Sequence, residues 1–219
     1  MLLDWQKTKE LLEKYQIPTV ESLIVEDVNS AFGFAKRVGF PVVLKLISEN
    51  SLHKIDKGLV KLNIKNKQEL ETSCRELRSL HLQGAKLPAQ VVSLPANELI
   101  LQKQIKGVEV FLGMKRDESF GPVVSFGLGG IFVEVLKDIS FGICPVDKEY
   151  AFKIIKAIKG LEVLFGFRGQ SLVDVGKIAS MIVSLSKLAI ENNQFKEIDF
   201  NPAIANEEGV FAVDPKFVL

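Results

Sequence analysis

The chain has little cysteine. Cys74 and Cys144 are the only thiols in 219 residues. A pair so far apart in sequence makes no disulfide framework, so a reducing cytoplasm is the expected setting. Long apolar runs are missing: none approaches the roughly 20 residues of a bilayer span. Asp4 and Trp5 interrupt the N-terminus where a signal peptide would be continuously apolar, and neither export nor membrane attachment is expected. Excess charge is missing as well. Lys and Arg number 28 against 27 Asp and Glu, a formal charge of +1, so no global field favours nucleic acid or an acidic membrane surface. There is no internal repeat and no low-complexity tract. Neither phosphate-loop signature, G-x-x-x-x-G-K-[ST] or G-x-G-x-x-G, occurs. The remainder is ordinary globular composition, 47% hydrophobic and 25% charged, in a chain able to bury a substantial core as one domain or two small ones.

Periodicity assigns the elements. Residues 4–15 put Trp5, Leu11, Leu12 and Tyr15 on one side among Lys and Glu, the pattern of a helix that 16–20 breaks. A short strand is expected at 22–25. Asp27 reads as a helix cap, with Ala31, Phe34, Ala35 and Val38 at helical spacing after it and Gly39 as the stop. Residues 40–47 form a buried strand with one charge inside, Lys45, and 48–58 is polar loop. Strand 59–64 and helix 67–80 follow, then a small, apolar, proline-containing connection over 84–97. Further strands are expected at 98–103, 108–115, 122–127 and 132–136, and helices at 150–161 and 172–192. Strands and helices mix without strict βαβ alternation, which predicts an α+β fold in two lobes. The expected division is an N-terminal helix at 1–17, a small lobe at 18–101 and a large lobe at 102–219, with a hinge-like strand crossing near Leu101.

Most of the functional content lies in the C-terminal run Glu197-Ile198-Asp199-Phe200-Asn201-Pro202-Ala203-Ile204, closed by Gly209-Val210-Phe211-Ala212-Val213-Asp214. Asn206-Glu207-Glu208-Gly209 is turn chemistry between two apolar runs, so a hairpin is expected. Asp199 and Asn201 are two apart and share a strand face; the hairpin brings Asp214 beside them. Two carboxylates and an amide carbonyl on one face are hard ligands suited to Mg²⁺ held together with a substrate's phosphates. A solvated strand face with Asn-Pro as a turn fits the same spacing. Lys45, in its apolar strand, is either a lysine reaching water from an edge or a phosphate ligand. His53 lies in Ser51-Leu52-His53-Lys54-Ile55-Asp56-Lys57-Gly58. A surface histidine is the plainer reading, yet a neutral imidazole is a competent nucleophile and Lys54 and Lys57 would stabilise an incoming phosphoryl group. His81 reads as surface.

Several of these stretches together resemble one family. Ile-Asp-Phe-Asn-Pro with Gly-Val-Phe-Ala-Val-Asp-Pro-Lys, Leu-His-Lys-x-Asp-x-Gly at 52–58, Phe-Gly-Leu-Gly-Gly-Ile-Phe-Val-Glu at 126–134 and Gly-Phe-Arg-Gly at 166–169 are similar to motifs of the ATP-grasp β subunits of ADP-forming acetyl-CoA and other acyl-CoA synthetases. The succinyl-CoA synthetase β subunit is a more distant likeness. The resemblance runs from about residue 17 to 219. It implies an ATP-grasp fold with the nucleotide site between its two lobes. It implies Mg²⁺ on Asn201 and Asp214, Asp199 near the phosphoryl-transfer site, and Lys45 on the nucleotide phosphates. By register, Gln102, Lys103 and Ile105 fall at the adenine and Glu109 at the ribose. His53 becomes a phosphohistidine that relays phosphate between an α-subunit histidine and ADP, with Lys54, Gly58, Gly129 and Gly130 in the loops around the phosphates. Glu134 ends the glycine motif; Arg168 matches the family's Gly-x-Arg-Gly or serves a structural ion pair. Two departures stand out. Leu59 replaces the second glycine of the histidine loop, which would stiffen it, and Gly142 replaces an arginine, a cation expected near the nucleotide or a subunit interface.

The implied activity is that of the β subunit of an ADP-forming acyl-CoA synthetase, an acid–thiol ligase: acyl-CoA + ADP + phosphate ⇌ acid + CoA + ATP. Mg²⁺ and ATP/ADP are the implied cofactor and substrate. An α subunit carrying the CoA site is the implied partner, in an α2β2 complex, with no nucleic acid and no membrane. Leu59 and Gly142 motivate a different expectation, a nucleotide-binding or assembly subunit without transfer chemistry. Two further readings are a counterpart of one domain in a longer fused synthetase or acyltransferase, and a free-standing carboxylate–amine ligase.

Overall fold

Four aspartates start helices. Asp4, Asp27, Asp147 and Asp174 accept hydrogen bonds from first-turn backbone N–H groups and open α1 (Trp5–Lys14), α2 (Val28–Val38), α4 (Lys148–Lys156) and α5 (Val175–Glu191), satisfying donors that a helix end leaves orphaned. At Asp27 the Ser30 hydroxyl completes a reciprocal cap. α3 (Lys67–Gly84) has Glu69 in its first turn. The computed structural model describes residues 1–47, 58–84 (side chains to 79), 99–130, 133, 137–166 and 172–219. Most of the strand expected over 132–136 lies outside them.

Among the described residues the strands form two antiparallel sheets. The smaller joins β1 (Ser22–Ile24), β2 (Val42–Leu46), β3 (Val60–Ile64) and β4 (Leu99–Lys103) in the order β1-β4-β2-β3. The larger contains β5 (Val108–Asp117), β6 (Gly121–Leu128), β7 (Ile139–Ile143), β8 (Glu197–Ala205), β9 (Val210–Ala212) and β10 (Pro215–Val218) in the order β10-β8-β5-β6-β7, with β9 also paired to β8. The sequence did not announce β7 or β10. The helix expected to reach 161 ends at Lys156, and a 3₁₀ turn, Leu161–Phe165, follows it.

Contacts divide the chain into two compact units, residues 1–19 with 106–219, and residues 20–105. In the first, one face of the large sheet supplies Leu112, Met114, Phe126, Ile198 and Phe200 to a core completed by Ile154, Ile155, Ile178, Ile182 and Leu185 of α4 and α5. α1 joins this unit: Leu12 and Tyr15 are in its core, and the Tyr15 hydroxyl donates to Glu191 Oε2 at 2.7 Å and accepts from Asn192 Nδ2 at 2.9 Å. In the second unit Val42, Leu44, Leu46 and Leu101 pack on Ala31, Phe34, Leu70, Cys74 and Leu77 of α2 and α3. No helix among the described residues is long and apolar enough to cross a membrane.

Candidate functional site

Among the described residues, α4 and α5 cover one face of the large sheet and not the other. Alternation decides which side chains fall on the second. Ile198 and Phe200 point to the core, so Asp199 and Asn201 of β8 point the other way. The C-terminal pairing is more elaborate than a single hairpin. The turn closes where expected, with Asn206 N–H donating to Gly209 O at 2.9 Å. β9 pairs with Ala203–Ala205, and β10 then pairs with the start of the same strand: Pro215 with Phe200, Lys216 with Asp199. The edge passes from β9 to β10 across Val213 and Asp214, opposite Asn201 and Pro202, where the register with β5 also shifts. Asn201 and Asp214 therefore share the irregular stretch of the sheet, and Asp199 sits next to it.

Asp199 is strongly perturbed. Burial pushes its carboxyl up to about 6; Lys216 pulls against that rise, and the carboxylates of Asp214 and Glu197 add to it. Its Oδ1 is buried without a hydrogen-bond partner. Gly113, opposite Asp199, lacks a side chain in a space bounded by the Phe111 ring and the Ser125 hydroxyl, 2.9 and 2.8 Å from where a Cβ would stand. Lys216 is the residue that the sequence reading missed. Its Nζ lies 3.5 Å from Asp214 Oδ2, and the two side chains are 14% and 16% exposed. The signal was available: Lys216 stands between the buried Pro215 and Phe217, so strand alternation puts it on the open face.

The structure also brings Glu109 and the glycine loop together. Gly129 N–H donates to Glu109 O at 2.8 Å. Gly129 approaches the Val110 backbone so closely that a Cβ would stand 2.9 Å from Val110 O. Gly130 has φ +62 and faces the Glu109 carboxylate where a Cβ would be, so both positions require glycine.

In the smaller unit Lys45 is half-buried in β2, between Ile100 and Val60. Gln102 is buried and flanked by Ser22 and Val43, inside the ladder, Lys103 closes β4 opposite Val42, and Ile105 follows the last paired residue. Gly58 has φ +67. Leu59 is absent from the positive-φ positions and packs against the small core, so its backbone conformation does not require glycine. Gly142 lies on the core side of β7, where a Cβ would point at Ile154. A side chain at 142 would leave the backbone away from the face that carries Asp199. His53, Lys54, Glu134 and Arg168 lie outside the described residues.

Two carboxylates and an amide oxygen are hard donors, and Asp199 Oδ1 has an unmet bonding position; this set fits Mg²⁺ sharing its shell with water and phosphate oxygens. Among the described residues no three His, Cys, Asp or Glu side chains form a metal-holding group without such help.

A protein-family model described as an ATP-grasp domain matches residues 1–219, and the chain belongs to that family. It is a homologue of the β subunits of ADP-forming acyl-CoA synthetases. It is 40% identical over 213 residues to the β subunit of acetate–CoA ligase (ADP-forming) I of Pyrococcus furiosus, covering 97% of this chain and 90% of that one. It is 37% identical over 210 residues to acetate–CoA ligase (ADP-forming) I of Archaeoglobus fulgidus, covering 95% of this chain but spanning 30% of that longer protein. Its structure is similar to that of the dinucleotide-forming acetyl-coenzyme A synthetase 1 of Ca. Korarchaeum cryptofilum in complex with coenzyme A, Ca-AMPCP and HgCl⁺, with a TM-score of 0.87 at 33% identity over 100% of this chain and 93% of that one. Another structure of that protein, with coenzyme A and Mg-AMPPCP, has its phosphohistidine segment pointing towards the nucleotide binding site and matches with a TM-score of 0.80, 33% identity, and coverage of 100% and 92%.

Proposed function

We propose that this chain is the nucleotide-binding subunit of an ADP-forming acyl-CoA synthetase, a ligase that couples acyl-CoA + ADP + phosphate to acid + CoA + ATP. The observation that carries the reading is the convergence of Asp199, Asn201, Asp214 and Lys216 on the open sheet face, in a chain 40% identical to such a β subunit. Asn201 and Asp214 hold Mg²⁺, which supplies positive charge to the spread phosphate oxygens. Lys45 is the phosphate ligand of the smaller unit. Gln102, Lys103 and Ile105 take the adenine, and Glu109, held by the Gly129–Gly130 loop, takes the ribose hydroxyls. His53, supported by Lys54 and Gly58, receives a phosphoryl group on a ring nitrogen as the N–P bond of a phosphohistidine on the α subunit breaks. The N–P bond on His53 then breaks as the terminal phosphate oxygen of ADP forms the new P–O bond of ATP. Asp199 lies near the transfer site. The phosphohistidine segment of the Korarchaeum enzyme, aimed at its nucleotide site, supports the relay.

An α subunit with the CoA site is the proposed partner, in an α2β2 complex. Cys74 and Cys144 are free thiols, in keeping with a proposed cytoplasmic setting. The features that motivated a non-catalytic subunit weigh less against the structure: Leu59 has an ordinary backbone, and position 142 faces the core.

The test is phosphate transfer from γ-labelled ATP with Mg²⁺ to the wild type and to His53→Ala, with and without the α subunit. Acid-labile, base-stable label on the wild type alone is the expected result. Label retained by His53→Ala rules out His53 as the carrier. Mg-nucleotide binding without any label, even with α present, reassigns the chain to a non-catalytic subunit.

A further inference from the structure

We propose that Lys216 is a positioning residue, a resident cation that sets how tightly the Asp199–Asp214 face takes a divalent ion before nucleotide arrives. The inference rests on the reading of this face as the Mg-nucleotide site. Its own support is geometric. Lys216 is aligned with Asp199 across the β8–β10 ladder, which puts their Cβ atoms about 5 Å apart. Its ammonium is 3.5 Å from Asp214 Oδ2, and neither side chain is well hydrated. Two carboxylates so placed repel each other, and the Lys216 ammonium offsets part of that repulsion. A divalent ion entering alone must share Asp214 with Lys216 and meets like charge at short range. With the ion bound, the face is one unit more positive with Lys216 than without it and attracts a polyphosphate more strongly. Lys216 thus weakens metal binding by itself and strengthens binding of metal and nucleotide together. Such coupling is reciprocal: ADP must tighten the metal by the same factor that the metal tightens ADP.

The experiment uses the full chain and Mn²⁺ as the probe, followed by electron paramagnetic resonance with and without ADP. Lys216→Met and Lys216→Gln remove the charge, the second keeping a donor for Asp214, and Lys216→Arg keeps the charge. Mn²⁺ should bind the nucleotide-free Met and Gln variants about tenfold more tightly than wild type. The tightening of Mn²⁺ by ADP should shrink in both, and the Arg variant should track wild type. A folded Met or Gln variant with wild-type or weaker Mn²⁺ affinity overturns the proposal. So does failure of both variants to fold with and without Mn²⁺, which would make Lys216 a structural counter-charge. Folding that requires Mn²⁺ supports it. A wild-type chain that takes no Mn²⁺ even with ADP defeats the functional reading itself, an outcome separate from the others.

Discussion

Asp199 shows how much of a side chain's chemistry comes from its neighbours. A carboxyl near 6 in the folded chain, against an ordinary 3.8, binds its proton more tightly when folded. Its contribution to stability is therefore most favourable below about pH 4, is lost as pH rises towards 6, and leaves a deficit above that on the order of 3 kcal/mol. Asp199→Asn removes the buried charge. In metal-free buffer the variant should gain up to that amount at pH 7.5 and match the wild type near pH 4, read from urea midpoints at the two pH values. An equal difference at both would show that burial of the charge is not the cause. The pairing of Asp199 with Asn201 was legible from their two-residue spacing. The Lys216–Asp199 alignment was not, because it depends on where β9 hands over to β10.

Strands and helices make tighter demands at two places. Gly130 combines a left-handed backbone, φ +62, with the Glu109 carboxylate where its Cβ would go. Gly130→Ala should cost about 1–2 kcal/mol and push Glu109 aside, weakening ADP binding several-fold; calorimetric titration of ADP checks the second effect. Arg116 anchors the end of α5. Its guanidinium donates to the carbonyls of Ala189 at 2.9 Å, Phe195 at 3.3 Å and Asn192 at 3.4 Å; the first lies in the last turn of the helix, where carbonyls have no intrahelical partner. Arg116→Ala should destabilise the chain by about 2 kcal/mol, seen as a lower urea midpoint. If the midpoint stays put, these bonds are exchanged for water without cost. The glycine loop was visible in sequence as glycines, but its packing on Glu109 was not. β7 escaped notice because five residues with a central Phe and a Gly give little alternation to count.

Across the chain as a whole, α1 lies first in sequence and packs with the large unit, not with the unit that follows it. Leu12 and Tyr15 are buried there, and Leu3 N–H donates to Phe217 O at 3.0 Å. A chain shortened by residues 1–16 should lose several kcal/mol from the large unit, since a buried Leu and a buried Tyr alone are worth about 4 kcal/mol or more. Hydrogen exchange should show faster exchange in α5 and β10 and little change in β2 and β4; uniform change would mean that the two units unfold together. Caps, stops and apolar spacing were enough to place most helices and strands, because those signals are satisfied within a few residues of chain. The C-terminal motif was enough to place Asp199, Asn201 and Asp214 on one face, because strand alternation is local and the turn is short. The helix α1 in the large unit, Lys216 beside Asp199, Glu109 under Gly130 and Gly142 turned to the core came only with the long-range pairing. Each depends on which distant strand or helix lies alongside, and a choice among distant partners is made by burial and register that no local window contains.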